Sequence, residues 1–136
     1  MRRLLLVPVL LLLTSCGVRP SEVILGGPAP TATTTATVYL LHGGELTPVV
    51  RPNPSSTDVL ALLAAGPTTA ERERGFTTEV PPGTTFEASG STVAVSVDVT
   101  ALSPAAVDQI ACTAAAPITL VNGGHTSLGP RTCPVG

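Results

Sequence analysis

The feature that most limits how this chain can fold is its start. Met1-Arg2-Arg3 leads into the ten residues Leu4 to Leu13, all Leu or Val except Pro8. As a helix that run rises about 15 Å, half the roughly 30 Å of a bilayer's hydrocarbon, too short for a resident transmembrane span. A basic start, an apolar stretch and the small residues Thr14 and Ser15 describe instead a secretory signal, residues 1–15, that is removed. The folding problem then falls on the rest of a 136-residue chain, enough for one domain and too little for two independent cores. Its core must be aliphatic. Tyr39, Phe76 and Phe86 are the aromatic residues of the whole sequence, and there is no Trp.

The signal closes on Leu13-Thr14-Ser15-Cys16, which resembles a bacterial lipobox. In that pattern the cysteine receives lipid and becomes the mature N-terminus, so Cys16 is the expected lipidation site and membrane lipid its expected partner. Each buried methylene contributes about 0.8 kcal/mol, and two or three acyl chains hold far more firmly than one. The expected location is the outer face of the cell membrane. From Cys16 onward the chain keeps five Arg against nine carboxylates, a net charge of −4, with no Lys. Phosphate contacts dominate nucleic-acid affinity, so such a chain points away from DNA and RNA as partners. Residues 16–37, rich in Pro, Gly, Thr and Ala, have the composition of a flexible tether reaching about 25 Å.

Residues 38–136 read as the folded domain. Val38-Tyr39-Leu40-Leu41 and Leu46 to Arg51 predict a hairpin joined at His42-Gly43-Gly44, with Pro48 marking an edge or strand-start position. Ser55-Ser56-Thr57-Asp58 offers capping oxygens to a helix whose apolar stripe is Val59, Leu60, Leu62 and Leu63, and which ends at Gly66-Pro67. Glu71-Arg72-Glu73-Arg74-Gly75 reads as a solvated charge cluster opening a long loop to Pro81-Pro82-Gly83-Thr84. Thr85 to Ala88 and Thr92 to Val99 predict two strands, the second with Val93, Val95, Val97 and Val99 alternating. Ser103-Pro104 starts a helix burying Val107, Ile110, Ala111 and Ala114, and Ile118 to Val121 is a last strand. The order β-β-α-β-β-α-β predicts an α+β fold, a mainly antiparallel sheet with two helices packed on one face.

With Cys16 lipidated, Cys112 and Cys133 are left, an even remainder that favours a disulfide in an exported protein. On the helix, Cys112 lies about 140° from Val107, on the flank of Asp108, where a returning tail could meet it. Two free thiols, or a metal site with His125, are the competing readings. Leu41-His42-Gly43-Gly44 is similar to an esterase oxyanion loop, but no G-x-S-x-G accompanies it. Asp98 and Asp108 have neither the spacing nor a domain large enough for a two-carboxylate glycosidase cleft. No catalysis and no cofactor are expected.

The succession of pieces carries a further signal. Val38 to Leu41 and Leu46 to Arg51 are followed by Leu60-Ala61-Leu62-Leu63-Ala64-Ala65-Gly66-Pro67-Thr68 with Glu71. Gly75, Pro81-Pro82-Gly83-Thr84, Leu102-Ser103, Gln109-Ile110 and Thr113 complete it. This resembles the GerMN domain of spore-germination and sporulation proteins and of envelope lipoproteins in high-GC Gram-positive bacteria. The resemblance spans residues 38–121. It implies a compact module similar to the ring-building domains of secretion-type assemblies, with an extracytoplasmic, non-catalytic role and an envelope protein as partner. Independently of that resemblance, Gly66, Gly75 and Gly83 would serve backbone geometry, and Arg51 could pair with Glu71 or sit in solvent. The alternative function is a lipoprotein that binds a cell-wall glycan or a small ligand. Scarce aromatic rings speak against the glycan.

Overall fold

The computed structural model of this chain describes residues 34–53, 55, 57–122 and 126–135. The signal, Cys16, the tether up to residue 33 and His125 lie outside the described residues. The fold is α+β. Strands β1 (Thr35–His42) and β2 (Glu45–Pro52) lead to helices α1 (Val59–Ala64) and α2 (Thr69–Glu73), then to strand β3 (Phe76–Thr77). Strands β4 (Phe86–Ser89) and β5 (Thr92–Val95) follow, then a 3₁₀ turn at Val99–Ala101. Helix α3 (Pro104–Thr113) and strands β6 (Ile118–Asn122) and β7 (Thr126–Arg131) complete the order.

The strands form two sheets rather than one, ordered β2-β1-β3 and β4-β5-β6-β7. All pairings are antiparallel except β5 with β6, which α3 separates in sequence as a crossover connection requires. One aliphatic core joins both sheets. Val38 and Leu40 of β1, Leu60 and Leu63 of α1, and Val107, Ile110 and Ala111 of α3 meet Val93, Val95, Ile118 and Leu120.

Strand β1 begins three residues before the apolar alternation, because Thr35, Ala36 and Thr37 pair with Pro52, Arg51 and Val50. Its turn to β2 places both Gly43 and Gly44 at positive φ, +60° and +84°, the twist a two-residue hairpin turn needs. Asp58 caps α1 through its carboxylate on the Leu60 amide, and Ser103 caps α3 through the Ala106 amide. The valine alternation stops being a strand at Val95. The Asp98 carboxylate accepts from the Thr100 amide, and the chain winds into the 3₁₀ turn that buries Val99.

Strand β7 is absent from the sequence reading because Gly129 and Pro130 look like a turn. It pairs with β6 around a bulge between Ile118 and Leu120. There a Cβ on Gly129 would lie 2.9 Å from the Ile118 carbonyl oxygen, so only glycine fits.

Helix α3 also seals the side of β1 that β3 leaves open. The Tyr39 amide donates to Thr113 Oγ1 at 3.0 Å, and Gln109 Nε2 donates to the Tyr39 carbonyl at 3.0 Å. Tyr39 thus turns its main-chain groups away from β2, and Pro48, opposite it, loses nothing by lacking an N–H. Pro48 and Pro52 share one parity on β2, so both remove donors from that strand's open edge. Fully buried Gln109 further accepts from the Glu79 amide at 2.9 Å, anchoring the long loop. Gln109→Leu keeps the volume but strands these partners. It is expected to cost about 1–3 kcal/mol in urea unfolding, whereas Asp108→Asn, at the helix surface, should change little.

Candidate functional site

The charge cluster around Glu71 is built differently from its expected solvated loop. Residues 69–73 are helical, and Glu71 is 6% exposed. Thr68 and Glu71 form a capping box, the Glu71 amide donating to Thr68 Oγ1 and the Thr68 amide to Glu71 Oε2 at 2.7 Å. Of the two expectations for Arg51, pairing is what the structure shows. Its Nε donates to Glu71 Oε1 at 2.9 Å and its Nη2 to Glu71 Oε2, a bidentate ion pair. The rest of the guanidinium donates to the carbonyls of Leu62 and Gly66, each at 3.0 Å. Arg51 therefore joins β2, the C-terminal end of α1 and the N-terminal end of α2, where each group also suits the local helix dipole. Burial pushes the Glu71 carboxyl up, but the Arg51 guanidinium and the Thr68 amide and hydroxyl outweigh it and hold the pKa below 4.5.

Cys112 and Cys133 form a disulfide with a Cα–Cα distance of 4.6 Å. Cys112 is buried although it lies on the α3 flank, because the tail carrying Cys133 returns over it. The tail also places Val135 beside Leu41, Leu46 and Ala105. Both sulfurs of the Cys112/Cys133/His125 candidate are thereby committed to each other. Among the described residues no three His, Cys, Asp or Glu side chains gather as a metal site.

His42 is exposed at the hairpin end, its Nε2 3.1 Å from the Arg74 carbonyl and its ring 4.9 Å from the Phe76 ring. Arg74 lies 5.2 Å from the Phe76 centroid, a cation–π contact. Phe76 is buried, Tyr39 and Phe86 are half-buried, and Tyr39 and Phe86 stand in different sheets. They do not gather into the ring platform that a sugar site uses. Asp98 serves its own turn, the Thr100 hydroxyl and amide holding its carboxyl below the usual value.

Among the described residues, two clefts bear most on binding. A cleft of about 560 Å³ lies between the end of α1, Arg72, Phe76 and the loop at Val80 and Pro82. Its Arg72 guanidinium is occupied by the Pro67 carbonyl and Thr69 Oγ1. The other, about 490 Å³, lies between the 3₁₀ turn, α3 and β7 and carries Asp108 and Arg131. Asp108 lies on the helix flank that the periodicity predicts, and Arg131 lies on β7, a strand the sequence does not reveal. The signal that could have joined them is the pair of cysteines, Asp108 four residues before Cys112 and Arg131 two before Cys133. Among the described residues no helix is long and apolar enough to cross a membrane. Compared with protein-family models, curated proteins and solved structures, the chain matches none of them.

Proposed function

We propose that this chain is a lipid-anchored, GerMN-like module on the outer face of the cell membrane, holding an envelope protein assembly together without catalysis. The observation that supports the reading is the Cys112–Cys133 disulfide, a bond that persists in oxidising compartments outside the cytosol. It agrees with the export signal at residues 1–15 and with the lipobox-like Cys16. The stiff scaffold around Arg51 suits a body whose task is to present a surface. Its Glu71, Gly66 and Thr68 partners all lie within the GerMN-like succession.

Cell fractionation tests the anchor. The native chain is expected in the membrane pellet and Cys16→Ser in the soluble exported fraction, because the acyl chains provide the attachment. A variant that pellets like the native chain overturns the reading. Crosslinking in intact cells is expected to recover a defined envelope protein, and its repeated absence counts against the assembly role.

A further inference from the structure

We propose that the cleft between α3 and β7 is a binding site for a short zwitterionic peptide, with Asp108 taking its ammonium end and Arg131 its carboxylate. This goes beyond the assembly role and does not depend on it.

The argument begins with the disulfide. Asp108 and Cys112 are one turn apart on the same face of α3, and Arg131 lies two residues before Cys133 on the strand side. The bond holds the two cysteine Cα atoms 4.6 Å apart, and both charged residues line one cleft between α3 and β7. The two carry opposite charge, yet the ion pair formed among the described residues is Arg51–Glu71, not Asp108–Arg131. Both line the same cleft, and no ion pair joins them.

The wall between them is aliphatic. Val99 and Val107 are buried, and Leu102 and Leu128 are half-buried and packed against the core. A volume of about 490 Å³ falls within the roughly 300–1,000 Å³ of small-molecule sites.

Complementarity selects the ligand class. A dicarboxylate would set one charge against Asp108, and a diamine would set one against Arg131. A neutral ligand would use neither charge, leaving both to water. A peptide with free ends satisfies both, its carboxylate meeting the planar guanidinium fork and its side chains the aliphatic wall. A sugar is disfavoured because, among the described residues, no aromatic ring lines the cleft.

Calorimetric titration of the full chain in detergent with L-alanyl-L-alanine tests the site. Its N-acetyl and C-amide forms, each lacking one charge, serve as comparisons. Saturable binding is expected with the free dipeptide, weakened about tenfold by blocking either end, the worth of one charge-assisted hydrogen bond. Arg131→Gln should bind the free and amide forms alike while still rejecting the acetyl form, and Asp108→Asn the reverse. No saturable heat up to about 10 mM overturns the proposal. So does binding indifferent to both blocks, a result the native chain gives without any substitution.

Discussion

Arg51→Ala is expected to destabilise the domain by about 3–5 kcal/mol, read from urea or thermal unfolding at neutral pH. The loss is large because the substitution strands a buried carboxylate, not because an ion pair is intrinsically strong. Glu71 would stay enclosed with the Thr68 amide still bonded to it, but without the bidentate partner. The carbonyls of Leu62 and Gly66 would lose their donor in the same step.

A double substitution separates these contributions. Buried ion pairs replaced by apolar residues are often neutral, so Arg51→Met with Glu71→Leu would restore stability if the pair acted alone. Here three main-chain groups also depend on it. The double variant is therefore expected to stay about 1–3 kcal/mol below the native chain. Full recovery would show that the contacts to Leu62, Gly66 and Thr68 contribute nothing.

The pair also predicts a pH dependence. Because the folded pKa of Glu71 lies below 4.5, the folded chain binds that proton more weakly than the unfolded one. Its contribution is complete above the unfolded value and is lost as pH falls through the folded one. Glu71→Gln keeps the capping geometry and cannot titrate, so its stability should fall less steeply on acidification. Parallel acid limbs for the two proteins would contradict this.

Removing the disulfide is the second large effect. Cys112 and Cys133 are 21 residues apart, and closing a loop of that size contributes about 3 kcal/mol in the chain-entropy description. For a domain of about this size each kcal/mol moves the melting temperature by about 4–8 °C, so reductant should lower it by about 12–24 °C. Cys112→Val with Cys133→Ser should reproduce that drop and abolish its dependence on reductant. The loosening is expected to begin in β7 and the tail, since α3 keeps its core contacts through Val107, Ile110 and Ala111. Hydrogen exchange would show the change confined at first to residues 126–135. An early loss across β1 and α1 instead would mean that the bond supports the whole core.

Much of this architecture is legible locally. The hairpin, the Asp58 and Ser103 caps and the stripes of α1 and α3 are written in neighbouring residues. The disulfide follows from counting cysteines. What escapes local reading depends on partners far along the chain. Glu71 looks solvated because its neighbours are charged, and only Arg51, twenty residues earlier, draws it inside. Gln109 lies outside the apolar stripe that the sequence shows for α3, and only β1 and the long loop reveal the need for its amide. The valine alternation promised a longer strand, but Asp98 found a closer bond with Thr100 and turned the chain. One sheet became two for a related reason, since nothing in the pattern of single strands states which strands will be neighbours. The cleft was hidden in the same way, because Asp108 and Arg131 come to one place only where α3 lies beside β7.

The two prolines of β2 have a consequence at the scale of many molecules. Leu46 and Val50 are the remaining residues of that parity with an N–H to offer outward, so a neighbouring copy finds too few rungs to climb alongside. Proteins gathered on a surface meet one another far more often than those in solution, and an unguarded rim there would grow ribbons. On the membrane anchor proposed above, Pro48 and Pro52 would keep that rim from templating a neighbouring copy.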